Sequence, residues 1–355
     1  MPYYRKMGQV PPKRHTVFRK PDGGLYNEEL MGHEGFTGTS ALLYHVHPPT
    51  AVKSVARCKE MAYRADPDRT LRHRHFRTSQ IAKVQKGGSA TLDRVPLLFN
   101  QDVAMLYVEP DRQDDHFYRN AQGDEVIYVA EGGGTLESVF GNLPYRQGDY
   151  LVIHRGILYR LQMDQGKPQK FVIFESRGHV RSPKRYRNEF GQLLEGAPYS
   201  ERDIHGPTEL ITHDEKGDFP VYVKQYDGIN ELVLDHHPFD VVGWDGYFYP
   251  WKFNIADFEP IVGRVHQPPP VHQTFQGDGF VICSFCPRPY DFDPNSIPSP
   301  YNHSNVDSDE VLFYASSEFM SRKGIEYGSI THHPDGIPHG PHPGRYEGSV
   351  GQTHT

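Results

Sequence analysis

Tyr301-Asn302-His303-Ser304-Asn305-Val306-Asp307-Ser308-Asp309-Glu310-Val311-Leu312-Phe313-Tyr314 sets a histidine seven residues before a glutamate, and that glutamate opens an apolar run of strand character. Downstream, Gly328-Ser329-Ile330-Thr331-His332-His333-Pro334-Asp335-Gly336-Ile337-Pro338-His339 follows the pattern Gly, any five, Pro, any, Gly, any two, His. His303, Glu310 and His339 together offer two imidazoles and one carboxylate. That is the ligand set of a mononuclear non-haem iron(II) site with open coordination positions, although manganese and zinc accept the same ligand types. Asp307 and Asp309 are rival carboxylates. Successive strand residues face opposite sides, so Asp309 and Glu310 cannot both point inward.

A second copy of the pattern lies upstream and favours Glu310 over its rivals. Asn120-Ala121-Gln122-Gly123-Asp124-Glu125-Val126-Ile127-Tyr128-Val129 aligns without a gap on the stretch from Asn305 to Tyr314, and Glu125 falls on Glu310. Residues 148–159 align in the same way on 328–339. In this copy Tyr118 stands where His303 stands, and Tyr159 where His339 stands. A neutral phenol, with its pKa near about 10, is a poor ligand for a divalent metal. The first copy is therefore expected to be metal-free and structural, with His116, two residues off register, as a partial substitute. The two motifs resemble those of the cupin barrel. Short β-rich runs separated by turns around both copies predict an all-β fold of double cupin, or jelly-roll, barrels, the first degenerate and the second active. The expected organisation is an N-terminal β domain over 1–190, a connecting segment over 191–260 that packs on both barrels, and a C-terminal barrel with the metal site over 261–355.

Composition narrows the function classes. The 355 residues carry a net charge of −7 and no basic domain, so nucleic acid is not an expected partner. The basic run Arg69–Arg77 reads as a solvated or interdomain segment, and the pairs His45-Val46-His47 and His73-Arg74-His75 as structural. Three cysteines in a chain this long argue against a disulfide framework and fit a reducing cytoplasm. No run approaches a membrane span, and the N-terminus lacks the apolar core of a signal peptide.

A closer likeness lies between the copies. Asp235-His236-His237-Pro238-Phe239-Asp240-Val241-Val242-Gly243-Trp244-Asp245-Gly246, with Pro300-Tyr301-Asn302-His303 and Ile337-Pro338-His339-Gly340-Pro341, resembles the signature of the homogentisate 1,2-dioxygenase family. The resemblance covers most of the chain and implies an enzyme of aromatic catabolism, in which Fe(2+) brings a ring hydroxyl and O2 together. Both oxygen atoms enter the opened ring. It carries the iron ligands to His303, Glu310 and His339, and a catalytic acid/base histidine to His266, with His272 as alternative. A histidine suits that work because its pKa lies near neutral pH. His333 matches a family histidine six positions before the last ligand and is expected to support a ligand or to touch substrate, with His332 and His342 as alternatives.

Two departures from the family bear on the substrate. The chain is shorter than typical members. Phe319 also stands where the family places a substrate-binding tyrosine, with Tyr314 as a replacement hydroxyl. The expected substrate-facing set is thus His333, His339, Tyr314 and Phe319, and Arg264, Arg288 or Arg322 would clamp an acid group. The expected partners are O2 and homogentisate or a related para-dihydroxylated aromatic acid, in a homo-oligomer. The alternatives are a metal-dependent isomerase or hydrolase, and a non-enzymatic small-molecule-binding protein on the same scaffold.

Overall fold

A computed structural model describes residues 3–317, 319 and 321–353. The chain divides into two compact units that interleave along the sequence. The first comprises Met1–Tyr63, Gly87–Asp257 and Phe275–Ile282; the second comprises Arg64–Lys86, Phe258–Thr274 and Cys283–Thr355. The fold is mainly β. Among the described residues the one α-helix is the five-residue Arg345–Ser349. No helix among the described residues is long and apolar enough to cross a membrane.

The first unit is built on two seven-stranded sheets. One runs Gly141–Arg146, Gly133–Ser138, Leu158–Met163, Phe117–Asn120, Lys216–Gln225, Gly228–His236, Val52–Glu60. The other runs Ile204–His205, Trp251–Asn254, Asp149–Ile153, Asp124–Glu131, Lys170–Ser176, Val103–Val108, Val95–Phe99. Between residues 117 and 176 the chain crosses repeatedly from one sheet to the other, the connectivity of a jelly roll. The strand Asp124–Glu131 lies inside its sheet and is buried on both faces up to its last residue, which explains why it reads as a nearly unbroken apolar run. At the opposite extreme, every residue of the strand Val52–Glu60 is exposed, and Lys53, Arg57, Lys59 and Glu60 keep this sheet edge charged.

Residues 204–254, within the stretch read above as a connecting segment, supply strands to three sheets of this unit. The run that carries the family likeness becomes the strand Val241–Gly246, second in a four-stranded sheet ordered Arg5–Gly8, Val241–Gly246, Thr37–His45, Asn27–Glu34. Its glycines and tryptophan work by packing. A Cβ on Gly243 would lie 2.1 Å from the Gln9 carbonyl oxygen, so only glycine admits the neighbouring strand. Trp244 is fully buried and donates from Nε1 to the Phe140 carbonyl at 2.9 Å.

The second unit contains a three-stranded antiparallel sheet in the order Glu310–Phe313, Ser329–His333, Arg74–Arg77. Arg74–Arg77 comes from the basic run. It does not float in solvent: Ser329 to His332 pair with Arg77 to Arg74, and His75 bonds through Nε2 to the Ser329 hydroxyl at 2.9 Å.

Candidate metal centre

Backbone pairing brings the two outer candidate ligands face to face. His303 and His339 exchange both N–H···O bonds, each 2.8 Å, as an isolated antiparallel bridge. Glu310 begins the strand Glu310–Phe313, opposite His333. These constraints converge on one point: His303 Nε2 and His339 Nε2 each lie 3.1 Å from Glu310 Oε2. The three ligand atoms lie within 4.8 Å of one another. The second nitrogen of His339 faces the Ile337 carbonyl at 3.4 Å. A proton on that Nδ1 would leave Nε2 with a free lone pair, the tautomer a metal ligand needs. His339 and His333 are buried, whereas the side chains of His303 and Glu310 keep 33% and 26% exposure. The cluster is therefore walled on one side and open on the other.

Burial alone would raise the pKa of Glu310. The imidazoles of His333, His339 and His303 outweigh it and hold the carboxyl down at about 2. The group is thus an anion at neutral pH, as a ligand must be. His333 stacks on His339, ring centroids 4.6 Å apart and 11° from parallel, with Nδ1 3.5 Å from Glu310 Oε1. Its pKa is lowered, mainly by burial. Asp309 points to the other face, where it meets His332 at 3.0 Å. This is the strand alternation that separates it from Glu310.

The upstream copy repeats the pairing pattern of this arrangement, with Glu125 opposite Ile153 as Glu310 is opposite His333. Tyr118 and Tyr159 are cross-strand partners, as His303 and His339 are, and both reach Glu125. In place of an ion stands a guanidinium: Arg94 Nη1 lies 2.7 Å from Glu125 Oε1, and Nη2 donates to the Tyr159 hydroxyl at 2.9 Å. Arg94, Tyr118, Glu125 and Tyr159 are all buried. Burial raises the pKa of Glu125, but the Arg94 charge together with the hydrogen bonds from Tyr159 and Asn120 outweighs it, so the net shift is downward. The cation this half requires is a side chain. His116 bonds instead to the Thr91 hydroxyl at 2.9 Å.

The remaining candidates are spread through the second unit. His266 Nε2 lies 3.1 Å from the Tyr301 hydroxyl, and the Tyr301 ring stands edge-on to His303 at 5.9 Å. The pKa of His266 is lowered, chiefly by burial. His272 is buried against Arg288, whose Nη1 lies 2.9 Å from its Nε2. Tyr314 is buried, its hydroxyl 3.1 Å from that of Thr331, and its ring stands edge-on to Phe319 at 5.4 Å. Among the arginines, Arg264 is tied to Asp293 at 2.8 Å and largely exposed. Arg322 is buried, bonds the Gly340 carbonyl next to His339, and lowers the pKa of His333 through its charge.

Two residues beside the ligands were given no site role from sequence, His73 having been read as structural. Tyr301 links His266 to a ligand ring. His73 stands edge-on to His333 at 5.4 Å and to His339 at 6.0 Å. The His73-Arg74-His75 pair was the available signal for the second of these.

A mainly β chain that gathers two imidazoles and one carboxylate at a one-sided opening has the layout of a non-haem metalloprotein. Residues 12–255 match the family described as homogentisate 1,2-dioxygenase N-terminal; the stretch 303–339 lies outside that match. Over its whole length the chain is 44% identical to a Saccharolobus solfataricus protein named "Putative dioxygenase", covering 91% of it. It is 27% identical over 64% of its length to the homogentisate 1,2-dioxygenase of Nitrobacter hamburgensis, and 25% identical over 64% to that of Bradyrhizobium diazoefficiens. In both cases it spans 51% of the relative's length. Among solved structures, a cupin-2 domain protein of Shewanella frigidimarina overlaps 24% of this chain and 79% of its own at 21% identity, with a TM-score of 0.21. The chain belongs to the homogentisate 1,2-dioxygenase family.

Proposed function

We propose that the chain is an iron(II)-dependent ring-cleaving dioxygenase acting on homogentisate or a related para-dihydroxylated aromatic acid. The observation that supports this most is the convergence of His303 Nε2, His339 Nε2 and a Glu310 oxygen on one partly open point. The donor set fits: neutral imidazoles and an ionised carboxylate are what a divalent first-row ion requires. Iron held by these three side chains would supply the open positions at which a ring hydroxyl and O2 react. Ring opening with both oxygen atoms retained draws its electrons from the ring, so no external reductant is involved.

The chain's own residues serve that reaction in three ways. His266, whose lowered pKa favours the neutral ring at pH 7, accepts the hydroxyl proton at Nε2 in place of its bond to Tyr301. His333 and His339, stacked and buried, form the dry wall of the site. Arg322 places positive charge where an anionic substrate gains from it. Phe319 offers no hydroxyl, and Tyr314 in edge contact with it spends its own on Thr331, so a substrate contact by this pair would be apolar. The test is oxygen uptake by the iron-loaded protein across a panel of dihydroxyphenyl acids. Uptake with a para-dihydroxylated acid supports the reading. Tight zinc or manganese with no uptake on any member favours an isomerase or hydrolase.

A further inference from the structure

The Asp-Glu step at 124–125 presents its two carboxylates to opposite faces. Glu125 meets Arg94, whereas Asp124 meets three histidines. His33, in the strand Asn27–Glu34, and His179, just past the strand Lys170–Ser176, approach Asp124 from different directions. One ligand atom from each of the three lies within 4.8 Å of the others. The His33 and His179 rings are 3.3 Å apart between centroids, and His33 Nε2 is 3.8 Å from Asp124 Oδ2. His33 Nε2 and His179 Nδ1 are both sealed from solvent and neither has a hydrogen-bond partner. Buried polar atoms are rarely left without a partner, so the arrangement calls for an occupant.

The surroundings prepare those atoms for a cation. Trp251 Nε1 can only donate, and it lies 3.1 Å from His154 Nε2. His154 therefore carries its proton on Nδ1 and donates it to Asp124 Oδ2 at 2.7 Å. The backbone N–H groups of Val180 and Arg155 donate to Oδ2 and Oδ1, each at 2.9 Å. Three of the roughly four lone-pair sites of the carboxylate are thus filled and about one remains. A carboxylate oriented by a neutral histidine is the outer support that metal sites recruit. His33 Nδ1 faces the Thr39 hydroxyl at 3.3 Å, which leaves Nε2 as its outward donor. Two imidazole nitrogens and one carboxylate oxygen suit a borderline divalent ion such as Zn2+.

We propose that His33, Asp124 and His179 form a second divalent-metal site, of the zinc class, which staples the strand Asn27–Glu34 to the jelly roll of the first unit. The site is separate from His303, Glu310 and His339 and does not depend on the function assigned to them. In the downstream copy Asp309 accepts the Asp335 N–H just as Asp124 accepts that of Arg155, but its side chain is half exposed and its imidazole partner is His332. The ion of the upstream copy would thus lie on the Asp124 face of the strand, not on the Glu125 face.

The full chain, stripped and reloaded with Zn2+, is assayed for metal content. His33→Gln and His179→Gln are each expected to bind one ion fewer per chain than wild type, with far-UV circular dichroism unchanged, whereas His339→Ala retains this ion. His179→Cys, loaded with Co2+, is expected to gain a thiolate-to-cobalt charge-transfer band absent from wild type. The band is read from the fold-competent Cys variant even if the Gln variants fail to fold. Equal zinc content in wild type and folded Gln variants, or no new band in the Cys variant, overturns the proposal and leaves a water as the occupant.

Discussion

Glu310 and Glu125 occupy equivalent positions and differ in what neutralises them, and this difference decides which half of the chain is suited to chemistry. Around Glu310 the partners are imidazoles, two aimed at one oxygen; around Glu125 they are phenols and a guanidinium. The first set was legible in the sequence because its spacing and the alternation of strand side chains act over short distances. His73 was not, because it reaches the site through a strand pairing that joins His75 to Ser329, 254 residues apart. His266→Ala is expected to keep bound iron, to lose turnover, and to lose the acid limb that protonation of His266 gives the wild-type pH–rate profile; unchanged turnover in an oxygen-electrode assay removes its acid/base role. His45 gives a separate test of the electrostatics. Burial alone would lower its pKa, but Asp240 at 2.7 Å and Glu29 at 3.1 Å raise it from 6.5 to about 9. The stability this triad contributes is complete below pH 6.5 and is lost as pH rises through about 9. Urea denaturation across that window is expected to show a decline on the order of a few kcal/mol, which His45→Gln abolishes.

At the scale of elements, the repeat was readable from the Asp-Glu step and the glycine pattern, and the sheet pairing confirms its register through Tyr118–Tyr159 and His303–His339. Arg94 was not readable. It lies 31 residues before Glu125, outside the repeated unit, and nothing local marks it as the substitute cation. Arg94→Met is expected to destabilise the protein by about 3–5 kcal/mol, since it strands a buried carboxylate. Arg94→Met combined with Glu125→Gln is expected to recover part of that loss. Denaturant midpoints of the two variants check this, and equal midpoints contradict it. The ligand bridge offers a matching test. A Cβ on Gly340 would lie 2.1 Å from Asn302 Oδ1 and 2.8 Å from its Cα, so Gly340→Ala must push apart the strands that align His303 with His339. Metal affinity is expected to fall by about 10–100-fold, the range seen when support around a ligand is lost, with the melting of the first unit unchanged. Isothermal titration of both proteins measures the difference.

For the molecule as a whole, the most distinctive run of the family likeness and the candidate ligands lie in different units. The run around Gly243 and Trp244, the most distinctive in the sequence, serves packing in the first unit. The candidate iron ligands lie in the second, which also takes up residues 64–86 from the N-terminal half. Composition indicated a mainly β chain but could not reveal this interleaving, because β pairing joins segments without regard to their distance in sequence. On the proposed function, His303, Glu310 and His339 hold the iron that turnover requires. Anaerobic reloading of wild type and His339→Ala with iron(II), followed by homogentisate-dependent oxygen uptake, tests it most directly. Wild type is expected to retain the ion and consume oxygen, and the variant, still folded by circular dichroism, to do neither. A His339→Ala protein that keeps both its iron and its turnover would contradict the account.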